Sequence, residues 1–130
     1  MTMSYYFSKT FHGSFSAAHE KVIENLKEVG FGVITEINMK EKFKEKLGVD
    51  FKDYVILGAC NPGFAYEAVQ MEEELGVLLP CNVVLIGKDD GRVQVAAIDA
   101  AKMMSVVGNP KLEEVASTVN EKLKKALAAL

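Results

Sequence analysis

The chain has 130 residues, 49% of them apolar and 25% charged, with 10 glycines, 3 prolines and no tryptophan, a profile that excludes disorder and low complexity and fits one domain over residues 1–130. At this length a chain buries about two-thirds of the surface its unfolded form exposes, so one core suffices without disulfides or a structural metal. The 15 basic and 18 acidic side chains leave a net charge of −3, which lacks the positive excess that nucleic-acid binding draws on.

Ser4 to His12 alternates aromatic and polar residues and reads as a half-buried strand, with Ser14 as the N-cap of the helix that follows. Phe15, Ala18, Val22, Leu26 and Val29 recur at helical spacing up to Gly30, where a C-terminal cap glycine belongs. Phe31 to Met39 is rich in β-branched residues and reads as a strand. The charged stretch Lys40 to Gly48 reads as a short solvated helix. Asp53 to Cys60 is a third strand, and Asn61-Pro62 opens a helix expected to end near Leu75-Gly76. Cys81 to Gly87 and Arg92 to Asp99 flank Asp90-Gly91, whose turn chemistry predicts an antiparallel hairpin. Ala100 to Val107 is expected to be a short helix. After Asn109-Pro110, the residues Leu112, Val115, Val119, Leu123, Ala126 and Leu130 trace the apolar stripe of a final amphipathic helix.

Both faces of the central strands are apolar. Val55 and Leu57 oppose Tyr54 and Ile56, and Val84 and Ile86 oppose Val83 and Leu85. Three substantial helices cover one side of five strands, and an apolar second side left open is a patch that soluble monomers rarely keep. The expectation is a homodimer formed through that face. The competing arrangement has the short helices around residues 40–48 and 100–107 closing it within one chain.

Chemistry concentrates in two Cys-Asn pairs, Cys60-Asn61 and Cys81-Asn82. Cys60 lies at the positive end of a helix, a position that favours a thiolate or an anion, and Gly63 lets a ligand approach the backbone. No Lys, Arg or His lies within five residues of either cysteine, so the charge that usually activates a thiol is missing locally. The two cysteines are expected to return to one level, as lateral neighbours if their strands are adjacent and parallel. Pro80 is expected to interrupt the ladder before Cys81. His12 and His19 show neither CxxC nor HxxxH spacing with the cysteines, so no metal or other cofactor is expected. Glu72-Glu73-Glu74 splay around their helix and suit a solvated face. Asp99 either caps the following helix, its expected role, or points into a cleft with Asn61 and Asn82. No phosphate loop, nucleophile elbow or zinc-protease helix is present.

The segments Tyr54-Val-Ile-Leu-Gly-Ala-Cys-Asn-Pro62 and Leu75-Gly-Val-Leu-Leu-Pro-Cys-Asn-Val-Val84 resemble domain-of-unknown-function family 302. Phe31-Gly-Val-Ile-Thr-Glu36, Lys46-Leu-Gly-Val-Asp50 and Val107-Gly-Asn-Pro110 are similar to it as well, so the resemblance covers nearly the whole chain. It implies an α+β domain similar to the TATA-binding-protein-like fold: a five-stranded, antiparallel-rich sheet with helices mainly on one face, in the order β-α-β(4)-α with extra helices. It also implies a homodimer, and no agreed activity. Its Cys-Asn elements match Cys60, Asn61, Cys81 and Asn82, while Asp99-Ala100 stands where the family often shows Asp-Pro.

The leading expectation is a cytoplasmic homodimeric ligand-binding or accessory domain that takes a small or anionic ligand through Asn61, Gly63, Asn82 and Asp99. No run reaches the roughly 18 apolar residues of a membrane span, and Met1 to Gly13 holds no apolar stretch of signal-peptide length, so no membrane partner is expected. The alternatives are a thiol-based redox or sulfur-handling protein, in which Cys60 reacts and Cys81 resolves, and an interaction module with inert cysteines.

Overall fold

The computed structural model describes residues 4–130. Its elements run β1 (Tyr6–His12), α1 (Phe15–Glu28), β2 (Gly32–Asn38), α2 (Met39–Leu47), β3 (Tyr54–Cys60) and α3 (Pro62–Met71). A 3-10 helix (Glu73–Leu78), β4 (Cys81–Gly87), β5 (Arg92–Ile98), α4 (Ala100–Ser105) and α5 (Lys111–Ala128) complete the chain. Short polar side chains set most helix starts. Ser14 Oγ accepts from the Ala17 amide at 3.0 Å, Asn38 Oδ1 from Glu41 at 3.1 Å and Asn61 Oδ1 from Phe64 at 3.2 Å. Asn109 Oδ1 accepts from the Lys111 amide at 3.1 Å, with Pro110 between them.

Among the described residues, five strands form one antiparallel sheet in the order β1-β5-β4-β3-β2. The β4–β5 hairpin turns at Lys88–Arg92. The Lys88 amide donates to the Arg92 carbonyl at 2.9 Å, and Gly91 adopts φ +79°, which a side chain would oppose. β1 crosses over to pair with β5 from Tyr6↔Ile98 to His12↔Arg92, so the first strand closes against the last.

Register sorts the side chains into two layers. Glu36, Leu57, Val83, Ala97 and Phe7 lie side by side under the helices, followed by Asn38, Val55, Leu85, Val95 and Lys9. The centres of these rows pack on Ala18, Val22 and Leu26 of α1 and on Leu112, Val119 and Leu123 of α5. The Asn25 side chain, buried between the two helices, donates to the Ala126 carbonyl at 3.0 Å and ties α1 to α5. On the other side of the sheet lie Ile37, Ile56, Val84, Ala96 and Ser8, flanked by Tyr54, Ile86, Gln94 and Thr10. The two faces differ in cover, not in hydrophobicity.

Neither short helix closes that second face. α4 buries Ala100 and Met104 in the helix-side core. α2 buries no residue and is linked to the Tyr54 end of β3 by a chain of aromatic contacts from Phe43 to Phe51 to Tyr54. The helix after Asn61-Pro62 also stops sooner than its sequence suggests. Glu72 takes an extended conformation, and the 3-10 helix that follows carries Leu75 into full burial.

Gly58 marks a close approach on the open face. A methyl group there would overlap Thr35 Oγ1 and sit 2.8 Å from Pro80 Cγ, and neither a β-branched strand residue nor a proline ring yields easily. Gly58→Ala is therefore expected to destabilise the fold by roughly 1–3 kcal/mol, read as a lower urea midpoint at unchanged slope. An unchanged midpoint would contradict the packing described.

Candidate functional site

The Cys-Asn segments meet at one end of the sheet. In the β3–β4 ladder Ala59 lies opposite Cys81 and Gly58 opposite Asn82. Cys60, one residue beyond Ala59, therefore has its Cα roughly 6 Å from that of Cys81. The neighbouring strands are antiparallel, not parallel: the end of β3 adjoins the start of β4, with α3 and the 3-10 helix returning the chain between them. The ladder begins at Cys81, immediately after Pro80.

A cavity of about 220 Å³ opens here between the sheet end and the helices. Phe31, Ala59 and Cys81 form its floor, Phe64 and Ala68 of α3 one wall, and Ala100, Met104, Val115 and Val119 the other, with Cys60, Asn61 and Ile34 also lining it. Ile34 is there because β2 bulges: the register shifts between Val33 and Thr35, leaving Ile34 outside the ladder and 61% exposed.

The two cysteines occupy different surroundings. Cys81 is 7% exposed and shares the helix-side layer with Ala59, whereas Cys60, the last residue of β3, is partly exposed. Burial, reinforced by nearby Cys60, pushes the Cys81 thiol up from 9.0 to about 11. At pH 8 only about one part in a thousand is thiolate, so alkylation of folded protein is expected to spare Cys81 until the chain unfolds.

The same shift makes a stability prediction. The folded value lies above the unfolded one, so this contribution is fully present below about pH 9 and is lost as pH rises through about 11. Over that window the unmodified chain is expected to lose about 2–3 kcal/mol more than Cys81→Ala, measured by denaturant titration at each pH. Parallel curves for the two proteins would contradict the assignment.

The expected ligand group divides. Asn61 lines the cavity and caps α3. Gly63 is exposed on α3 and is not among the residues lining the cavity. Asn82, paired with Gly58, is exposed on the opposite layer, where it lines a shallow depression of about 360 Å³ with Tyr5, Tyr6, Tyr54 and Ile86. Strand alternation separates it from Cys81, so Asn61 and Asn82 share no cleft.

Asp99 caps α4. Its Oδ1 accepts from the Ala101 and Lys102 amides at 3.0 and 3.1 Å and from Asn120 Nδ2 at 2.9 Å. Burial raises its carboxyl, but the bonds from Asn120, Lys102 and Ala101 and the charge of Lys102 outweigh this and hold it below 3.8. Asn120 also accepts from the buried Ala100 amide at 2.7 Å. That link between α4 and α5 holds the Ala100–Met104 wall of the cavity in place. Of the histidines, His12 ends β1 and His19 pairs with Glu36 at 2.8 Å on the helix side. No group of three or more His, Cys, Asp or Glu among the described residues is arranged to hold a metal ion.

The class these features define is a two-layer α+β domain in which, among the described residues, one sheet face lies under helices and the other does not, with an uncharged cavity at the sheet end. The chain belongs to the family described as "Domain of unknown function DUF302", whose model matches residues 7–130. It is similar to the crystal structure of an uncharacterized conserved DUF302 protein from Bacillus stearothermophilus, at 27% sequence identity and TM-score 0.89 over 98% of each chain. No curated protein matches it.

Proposed function

We propose that the protein is a homodimeric ligand-binding or accessory domain whose ligand occupies the cavity beside Cys60, Asn61 and Cys81. The observation that carries this reading is the cavity itself. Six separate elements converge on about 220 Å³ of unfilled space lined almost wholly by apolar side chains, the usual make-up of a small-molecule site. A stabiliser screen on the purified protein tests it. A compound that binds the folded state raises the melting temperature, and protection that disappears on filling the cavity with Ala68→Leu supports the assignment. A broad small-molecule library that yields no such compound contradicts it.

The redox reading fares less well on the same geometry. Both thiols line the cavity, but a Cys81 held protonated is a slow participant in disulfide exchange. Two free thiols suit a cytoplasmic location, and no helix among the described residues is long and apolar enough to cross a membrane.

The dimer accounts for the uncovered face. Five strands about 4.8 Å apart and seven residues long present on the order of 500 Å² each, so two copies bury roughly 1,000 Å², the lower bound of a specific interface. The central row Ile37, Ile56, Val84, Ala96 and Ser8 is uncharged, so a second copy meets it without self-repulsion. The depression between Tyr5, Tyr6 and Tyr54 offers room for a partner's side chain.

A further inference from the structure

Among the described residues, no charged side chain lines the cavity at the sheet end: Asn61 contributes an amide, Cys60 and Cys81 contribute thiols, Met104 a thioether, and the others are aliphatic or aromatic. An ion entering from water would shed its hydration and find no counter-charge, so the lining selects against anions and cations alike. A cavity of about 150 Å³ lined by aliphatic and aromatic groups stays free of water and admits benzene. At about 220 Å³ this one has room for a ring with one short substituent.

Asn61 supplies the polar element. Its Oδ1 is engaged by the Phe64 amide, and its Nδ2, set beside Gly30, makes no hydrogen bond to the described residues, so the one amide among the lining residues keeps its donor free. Small-molecule sites commonly combine an apolar body with one or two such fixed polar groups. At the rim, the β2 bulge holds exposed Ile34 out of the ladder, so the entrance is apolar as well.

We infer that the cavity takes a small uncharged molecule with an apolar body the size of a singly substituted benzene ring, carrying one oxygen acceptor that receives a hydrogen bond from Asn61 Nδ2. This rests on the ligand-binding reading above and narrows it to a chemical class. It also removes the anion from the ligands expected at the α3 terminus, because the lining offers nothing to neutralise one.

Four probes of nearly one size test the inference on the full chain: acetophenone, isopropylbenzene, benzoate and benzamidinium, each about nine non-hydrogen atoms. Binding is followed by amide NMR shifts at Phe31, Ala59 and Val119 and by melting temperature. Acetophenone is expected to bind at least threefold tighter than isopropylbenzene, and both ions at least tenfold more weakly than acetophenone. Asn61→Ser keeps a capping oxygen but lacks the amide donor, and is expected to erase the advantage of acetophenone over isopropylbenzene. Ala68→Leu is expected to abolish binding of both, with Val119→Phe as the second filling variant should the first fail to fold. Benzoate or benzamidinium binding as tightly as acetophenone overturns the ligand class while leaving the ligand-binding reading intact. Equal affinity of the two neutral probes, unaffected by Asn61→Ser, overturns the role of Asn61. Failure of all four to shift any cavity amide overturns the inference, and a melting temperature raised by Ala68→Leu in that case overturns the reading beneath it as well.

Discussion

Leu57→Ala is expected to destabilise the protein by about 3–5 kcal/mol, a large part of the roughly 5–15 kcal/mol that holds a typical domain folded. Leu57 is 0% exposed, between Glu36 and Val83 in the row Glu36, Leu57, Val83, Ala97 and Phe7, beneath the helices. Truncation removes the transfer free energy of the lost carbons and leaves a void that a five-stranded sheet, pinned by ladders on both sides of β3, cannot collapse to fill. The melting temperature should fall by roughly 10 °C or more, and the urea midpoint should drop at constant slope. A loss under about 1 kcal/mol would mean that β3 is not a buried interior strand.

Ile56→Asp, one residue earlier on the same strand, is expected to do the opposite. Ile56 faces the uncovered side, between Ile37 of β2 and Val84 of β4. Ile56 is part-exposed in a single chain, so the new carboxylate reaches water and the fold should survive with a modest loss of stability. In the proposed dimer, carboxylates from both copies would be desolvated near one symmetry axis without partners, costing several kcal/mol. The dissociation constant is then expected to rise by about a thousandfold or more, leaving a folded monomer at micromolar concentration. Circular dichroism confirms the fold, and gel filtration with light scattering reads the mass. An unchanged mass would place any association elsewhere on the surface.

The contrast between these adjacent residues was already legible in the sequence, because strand alternation is strictly local. Local signals also located the caps at Ser14 and Asn61 and the turn at Asp90-Gly91, each of which depends on a few neighbouring atoms. The return of β1 to β5 left no such trace, since Tyr6 and Ile98 are paired by the whole intervening chain. The cavity was hidden for the same reason: Ala59, Ala68, Met104 and Val119 become its walls only when four elements pack together. Asn82 is instructive in another way. Its position after Cys81 within one strand already directed the two side chains to opposite layers, so the alternation that revealed the apolar second face also separated Asn82 from Asn61. The closeness of Cys60 and Cys81 follows from an antiparallel turn-back through α3, an arrangement as compatible with the chain lengths as a parallel one.

Sedimentation equilibrium of the unmodified chain, from about 1 to 100 μM at moderate salt, tests the homodimer most directly. The uncovered row of Ile37, Ile56 and Val84 predicts a mass twice the 14.2 kDa of one chain, falling toward one chain only at the dilute end. A mass of 14.2 kDa held across the whole range would show that this face stays wet, and would contradict the dimer.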